Sequence, residues 1–116
     1  MSKVTIYHNP RCSKSRQTLQ LLEDNGVKPD IVMYLEATPS AQEINGLLKK
    51  LGITARELLR KGEDDYKQNN LSDSSLSDAE LVAAMVSFPK LIERPIVVMG
   101  AIAVLGRPPE NVLELI

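Results

Sequence analysis

Residues 3–36, "KVTIYHNPRCSKSRQTLQLLEDNGVKPDIVMYLE", contain the pattern that sets the fold. The segment KVTIYH alternates and is rich in β-branched residues, which is typical of a strand. From Ser13 to Asn25 leucines recur at helical spacing, and Gly26 is well placed to end a helix. The segment DIVMYLE indicates a second strand. A strand, a helix and a strand of this length form a βαβ unit, so we expect parallel strands joined by a right-handed crossover.

The remainder of the chain completes an α/β pattern. Three segments in the middle, SAQE at 40–43, TARE at 54–57 and SDAE at 77–80, match the capping box that starts helices. The polar span from Lys61 to Ser75 is predicted to be a loop with one short helix. PIVVM, Gly100 and IAVLG predict a β-hairpin, and RPPENVLELI predicts a final helix.

This order of elements predicts an α/β sandwich with a mixed four-stranded sheet. It is the thioredoxin-like arrangement with a helical insertion after the second strand. We expect a single domain of residues 1–116, with the insertion at roughly residues 40–90, because this length suits one hydrophobic core.

Composition excludes several classes of function. The 14 Lys and Arg residues nearly balance the 15 Asp and Glu residues, so no nucleic-acid or membrane-surface partner is indicated. No segment has the length and apolar character of a signal peptide or a membrane span. One cysteine cannot form an internal disulfide, which suits a reducing compartment, so we expect a cytoplasmic protein.

The stretch "HNPRCSKSR" at residues 8–16 holds both the only histidine and the only cysteine. The helix that follows lacks the Glu of the other helix starts, since its third position is Ser15 or Arg16. Cations at a helix N-terminus oppose the macrodipole by about 0.3–1 kcal/mol. Three of them here therefore indicate an anion site for a bound oxyanion, for the Cys12 thiolate, or for both in turn. These cations are Arg11, Lys14 and Arg16.

Cys12 and His8 each have an ordinary structural interpretation as well. A lone cysteine is commonly a buried small hydrophobe, but Cys12 follows the polar turn Asn9-Pro10-Arg11, which favours an accessible, reactive thiol. We therefore expect its pKa to lie below about 8.5. A strand-end histidine is commonly structural, and the alternative is that a His8 imidazolium stabilises the thiolate. The sequence leaves these two interpretations of His8 open.

The loop "YHNPRCSKSR" resembles the active-site loop of the glutaredoxin-dependent arsenate reductases (ArsC type). Further matching segments follow in order along nearly the whole chain: YLE, ELLRK at 57–61, ERPIVV at 93–98 and GRPPE at 106–110. The resemblance implies a thioredoxin-like fold with a helical insertion, in agreement with the pattern of elements.

The resemblance also implies the roles of individual residues. Cys12 would be the nucleophile, with His8 beside it. Pro95 would be the cis-proline next to the cysteine, and the same loop would supply Asn9, Ser15 and Arg16 as supporting residues. Three arginines from distant segments would surround the oxyanion, as guanidinium groups match such anions bidentately. They are Arg60, Arg94 and Arg107.

One departure from the family pattern lies in the active loop. Typical reductases of this type read Cys-Gly-Thr-Ser-Arg, where this chain reads Cys-Ser-Lys-Ser-Arg at residues 12–16. The chain is thus closest to an arsenate-reductase-like subgroup. The related Spx-type regulators typically have Cys-x-x-Cys, whereas this chain has Ser15 at the second position, and retention of all three arginines favours an enzyme.

The resemblance implies reduction of arsenate, or of a similar oxyanion, through a Cys12 thiolate. Glutathione would act as co-substrate, and glutaredoxin would resolve the mixed disulfide. No metal and no bound organic cofactor is expected. The alternatives are a glutathione-linked reductase of another oxyanion or disulfide, and a non-enzymatic Spx-like adaptor that binds RNA polymerase.

Overall fold

The computed structural model describes residues 3–116, which form two compact units. The first unit contains the described residues up to Ala37 together with Arg94–Ile116, and the second is Thr38–Glu93. The second unit covers the region of the expected helical insertion. The single domain of residues 1–116 stays a prediction, and its first two residues lie outside the described part of the chain.

The first unit contains a four-stranded sheet with strand order β2-β1-β3-β4. β1 pairs parallel with β2 and antiparallel with β3, and β3 pairs antiparallel with β4. The mixed sheet and the parallel βαβ unit are therefore confirmed, in a thioredoxin-like arrangement. The elements are β1 at Val4–Tyr7, α1 at Ser13–Asp24, β2 at Asp30–Val32, β3 at Ile96–Met99, β4 at Ile102–Leu105 and a 3₁₀ helix at Pro109–Glu114.

The core of this unit lies between one face of the sheet, α1 and the C-terminal 3₁₀ helix. Alternate residues of β1, Val4 and Ile6, point into it and meet Leu22 of α1. Val97 of β3 and Val112 of the 3₁₀ helix complete the cluster, and Val112 is fully buried. Packing of aliphatic side chains thereby fixes α1, which begins directly after Cys12, against the sheet.

Two predicted elements differ from the structure. The second strand was expected over residues 30–36, but β2 ends at Val32. It is an edge strand paired only with β1, and the Met33 carbonyl then closes a turn by accepting from the N–H groups of Glu36 and Ala37. The predicted C-terminal helix is present as a 3₁₀ helix, whose period of three places Pro109, Val112 and Leu115 towards the core.

The second unit is helical, as predicted. Thr54 and Ser77 both form complete capping boxes, and the Ser40 side chain accepts a hydrogen bond from the Glu43 N–H. Among residues 3–116, no helix combines the length and apolar character needed to cross a membrane. The helices are α2 at Ala41–Leu51, α3 at Ala55–Leu58, α4 at Asp64–Gln68, α5 at Asp78–Ser87 and a 3₁₀ helix at Pro89–Leu91.

The register of the sheet brings three chain segments together at one end of the strands. Tyr7 at the end of β1 pairs with Ile96 at the start of β3, and Ile96 pairs with Leu105 at the end of β4. Antiparallel pairing therefore places His8, the Arg94-Pro95 segment and the Gly106-Arg107 segment at this end of the sheet.

Gly106 lies where α1 and the Pro95 segment approach most closely. A Cβ added to Gly106 would lie 2.5 Å from Oγ1 of Thr18 and 2.7 Å from Cγ of Pro95. The Gly106 N–H also donates to the Pro95 carbonyl at 2.9 Å. Thr18 is fully buried, so the contact has no room to relax towards solvent.

We expect Gly106→Ala to reduce the free energy of unfolding by about 1–3 kcal/mol, the usual cost of overpacking. Gly46→Ala is the control. Gly46 lies within α2, and apart from the backbone of its own helix and its chain neighbours no atom lies within 4 Å of the added Cβ. This second change should be neutral or stabilising by up to about 1 kcal/mol, because alanine favours a helix over glycine. Urea unfolding of both variants measures the difference, and equal stabilities would contradict the close packing at Gly106.

Candidate active site

The loop between β1 and α1 is built around the buried hydroxyl of Ser15. Its Oγ accepts a hydrogen bond from the Asn9 N–H at 3.1 Å and lies 2.6 Å from Nδ1 of His8. The Asn9 carbonyl accepts from the Cys12 N–H at 3.0 Å, and Oδ1 of Asn9 accepts from the Arg11 N–H at 3.0 Å. The loop that carries Cys12 is therefore held by a closed set of short-range hydrogen bonds.

Cys12 is the N-cap residue of α1, which makes Ser15 the third helical position. Its side chain forms no capping hydrogen bond, yet the local backbone still affects its pKa. Partial burial alone would raise the pKa of the thiol. The hydrogen bond and charge of Arg94, with the N–H groups of Ser15 and Lys14, outweigh burial and lower the pKa from 9.0. This direction agrees with the expectation from the sequence, and a pKa below about 8.5 stays a prediction.

The cation that acts on Cys12 is Arg94, not one of the three cations of the loop. Arg16 instead donates from Nη1 to the Pro10 carbonyl at 2.8 Å, so it braces the loop. The prediction that Arg11, Lys14 and Arg16 supply the positive charge at the thiol is therefore wrong, because Arg94 supplies it. The charge comes from the segment before β3, which the register of the sheet brings to the same end of the strands as the loop.

Arg107 lies next to Arg94 in the first unit. Its Nη1 donates to the Arg94 carbonyl at 3.1 Å. The Arg94–Pro95 bond is cis, as predicted, and the Arg107–Pro108 bond is cis as well, which was not predicted. Of the three expected arginines, Arg94 thus acts on the cysteine, and Arg107 is bonded to the segment that carries Arg94.

Two side chains that position these segments, those of Asn111 and Thr18, were not predicted from the sequence. Nδ2 of Asn111 donates to the carbonyls of Leu105 and Arg107, each at 3.1 Å, and so holds the segment that carries Arg107. Thr18 donates to the Lys14 carbonyl at 2.8 Å, and its buried side chain packs against Gly106. A signal was present for Thr18: it lies on the apolar face of α1, among the leucines.

His8 is buried and does not provide an imidazolium to the thiolate. Burial first, and the positive charge of Arg16 second, lower the pKa of His8 from 6.5. The ring is therefore neutral near pH 7, and His8 is absent from the groups that shift the Cys12 pKa. Tuning of Cys12 by a charged His8, the alternative left open by the sequence, does not fit the structure.

Arg60 belongs to the second unit, so its approach to the other arginines stays a prediction. Its N–H donates to the Leu91 carbonyl at 2.7 Å, and its Nη1 forms an ion pair with Glu93 at 2.9 Å. Its Nε is buried without a hydrogen-bond partner among residues 3–116. Arg60 thus retains a donor that a bound anion could use.

No metal site is evident in the described part of the chain. No group of three or more His, Cys, Asp or Glu side chains lies close enough there to hold a metal ion.

Comparison with protein-family models matches residues 7–115 to the ArsC family. The chain belongs to this family. It is 59% identical over 115 residues to the uncharacterized protein YfgD of Escherichia coli K12, covering 98% of this chain and 97% of that protein. It is 50% identical over 114 residues to an arsenate reductase of Haemophilus influenzae, and the match covers 97% of this chain and 98% of that protein. A solved structure of an arsenate reductase from Vibrio cholerae has 53% identity and a TM-score of 0.97, and the match covers 99% of this chain and 98% of that structure.

We expect the rate of Cys12 alkylation by iodoacetamide to rise with pH about a midpoint below 9.0, since only the thiolate reacts. Arg94→Gln should raise this midpoint because it removes a hydrogen bond and a positive charge from the thiolate. Lys14→Gln is the control, since it keeps the backbone N–H and should leave the midpoint in place. An unchanged midpoint in the Arg94 variant would refute the assignment of the cation.

The pKa of His8 should rise in Arg16→Gln, because the neighbouring positive charge is lost. It should stay below 6.5, since burial remains. His8 is the only histidine, so its imidazole proton resonances can be followed by NMR titration without overlap. Arg11→Gln, which removes a cation that does not act on His8, serves as the comparison. Equal His8 pKa values in both variants would show that the Arg16 charge does not reach the ring.

Proposed function

We propose that this protein is a thiol-dependent arsenate reductase with Cys12 as its nucleophile. The observation that carries the proposal is the Cys12 thiol with its lowered pKa beside Arg94, with Arg107 bonded to the same segment. The naming of relatives at 50% and 53% identity as arsenate reductases supports the choice of oxyanion.

In the first step, Arg94 and Arg107 hold arsenate and the Cys12 thiolate attacks arsenic. A sulfur–arsenic bond forms and one arsenate oxygen leaves as water after protonation. Guanidinium groups stabilise the negative charge of the oxyanion through paired hydrogen bonds. Arg60 is proposed as the third arginine on the family resemblance, with its Nε donor available.

In the second step, a glutathione thiolate attacks the Cys12 sulfur. A sulfur–sulfur bond forms and the sulfur–arsenic bond breaks, with its electron pair left on arsenic, which departs as arsenite. Two electrons thus reduce As(V) to As(III), and Cys12 is left as a mixed disulfide with glutathione. The chain has no second cysteine, so a thiol from outside must close the cycle. We propose glutaredoxin as the partner that releases Cys12, in a cytoplasm that maintains glutathione.

The remaining loop residues hold the nucleophile in place. His8 is proposed as a neutral hydrogen-bond partner of Ser15, and Asn9 and Arg16 as braces of the loop. Pro95 places its segment against Gly106. No step of this scheme needs a metal.

Arsenate-dependent NADPH oxidation, coupled through glutathione, glutathione reductase and glutaredoxin, tests the proposal. Cys12→Ser should abolish turnover, because a serine hydroxyl is too weakly acidic to replace the thiolate. Arg107→Ala should lower kcat/KM for arsenate by about 10²–10³-fold, the usual cost of losing an oxyanion donor.

Glu110→Gln, a charge change near Arg107 in sequence, should retain wild-type kcat/KM. Intact mass after treatment with arsenate and glutathione should show one added glutathione on the wild-type protein. Turnover sustained by thioredoxin alone would rule out the glutathione route. A reactive thiol with no turnover in either thiol system would instead favour the adaptor function.

A further inference from the structure

A cavity of about 230 Å³ lies against the loop that carries Cys12. Two segments of the first unit line it: residues 8–11, and the turn that contains Met33, Leu35 and Glu36. Cys12, Arg94 and Arg107 are not among the lining residues, so the cavity is distinct from the proposed oxyanion site. Arg11, at its rim, is nevertheless the residue directly before the nucleophile.

The cavity carries opposite charges that do not pair with each other. Arg11 and Glu36 both line it, and neither side chain has an ion pair or a hydrogen bond with any residue in 3–116. Asn9 uses its N–H, its carbonyl and its Oδ1 within the loop, whereas Nδ2 has no partner among the described residues. A cation, a carboxylate and an amide donor are therefore all available to a ligand.

His8 adds a second neutral donor to this set. The Ser15 hydroxyl is fully buried and already accepts the Asn9 N–H, so its own proton can be satisfied only by Nδ1 of His8. A neutral ring that accepts at Nδ1 carries its proton on Nε2. No residue in the described chain is bonded to Nε2, and His8 lines the cavity.

This combination matches the end of an amino acid that carries both an α-carboxylate and an α-ammonium group. Arg11, Nδ2 of Asn9 and Nε2 of His8 suit the carboxylate, and Glu36 suits the ammonium group. Pro10, Met33 and Leu35 supply an apolar wall for the methylene groups. The cavity is smaller than the roughly 300–1,000 Å³ of sites that enclose whole drug-sized ligands, so it suits one end of a larger molecule.

We propose that the cavity binds the γ-glutamyl end of glutathione and so directs its sulfur to Cys12. The proposal rests on the function proposed above, which requires an external thiol. Glutathione carries the required α-carboxylate and α-ammonium group on its glutamyl residue, with its cysteine one residue further along. Arg11 lines the cavity and Cys12 follows it directly in the chain, so the proposal requires the cysteine of glutathione to extend from the cavity towards Cys12.

Thiol exchange with oxidised glutathione tests this site without arsenate. The Cys12 thiolate attacks one sulfur of the disulfide, a new sulfur–sulfur bond forms, the old bond breaks, and one glutathione thiolate leaves. Hydroxyethyl disulfide reacts at Cys12 by the same chemistry but has no charged groups. Rates are followed by intact mass at a pH where the thiolate is fully formed.

Arg11→Gln and Glu36→Gln should each slow the reaction with oxidised glutathione by about threefold to tenfold, as expected for charged contacts at a partly exposed site. Neither should alter the rate with hydroxyethyl disulfide by more than about 1.5-fold, within the spread of exposed-charge effects. Lys14→Gln removes a cation of the same loop that does not line the cavity, and it should slow the glutathione reaction less than Arg11→Gln. The disulfide of γ-glutamylcysteine should show the Arg11 and Glu36 effects, and that of cysteinylglycine should not.

Equal slowing with both disulfides would place the effect on the Cys12 thiol and overturn the binding site. Unchanged rates with oxidised glutathione, or full sensitivity with the cysteinylglycine disulfide, would also overturn it. A protein that shows the predicted selectivity but no arsenate turnover would retain the glutathione site and refute the proposed reductase function. The two proposals therefore fail by different measurements.

Discussion

The hydrogen bonds of one buried hydroxyl, that of Ser15, join the end of β1 to the start of α1, and the active loop depends on them. Ser15 stands at the third position of α1, where the capping boxes of α3 and α5 have Glu57 and Glu80. Those carboxylates are exposed, whereas Ser15 is fully buried, and an unpaired carboxylate there would be costly. A small hydroxyl satisfies the Asn9 N–H and His8 Nδ1 instead. The unusual helix start is thus a consequence of burial.

This helix start leaves its N–H groups to act on Cys12, and the sheet supplies the rest of the site. Burial alone would favour the neutral thiol, and it is the largest single effect on the Cys12 pKa. The thiolate is favoured only because Arg94 and the N–H groups of Ser15 and Lys14 act together against burial. Arg94 reaches the thiol because β3 starts opposite the end of β1, and Arg107 follows because β4 ends opposite the start of β3. The register of three strands therefore decides the chemistry of one sulfur.

Local patterns in the sequence predicted most of the elements, since a βαβ unit, a hairpin and helix caps are all encoded by residues near one another. The cis bond at Pro95 was predicted by resemblance alone. The C-terminal helix was predicted without its type, because six residues that begin at the second of two prolines do not distinguish a period of 3.6 from a period of three. The contact between Thr18 and Gly106 joins residues 88 positions apart, so no local pattern could reveal it. The source of positive charge was misassigned for the same reason: three cations adjacent in sequence were visible, and one adjacent in space was not.

The two titrating groups of the loop impose one common requirement. In the folded protein Nδ1 of His8 accepts a hydrogen bond from the Ser15 hydroxyl, so protonation of the ring would replace an acceptor with a second donor facing the same hydroxyl. Its pKa is lowered from 6.5, so the unfolded chain binds the extra proton first, and stability falls as the pH decreases from 6.5 towards the folded value. The Cys12 pKa is lowered from 9.0, so the thiolate is likewise lost as the pH falls. The reactive loop therefore needs both groups deprotonated. Burial and then the charge of Arg16 lower the pKa of His8. Burial raises the pKa of Cys12, but the hydrogen bond and charge of Arg94, with the N–H groups of Ser15 and Lys14, outweigh it. Each group therefore stays deprotonated to a lower pH than it would in the unfolded chain.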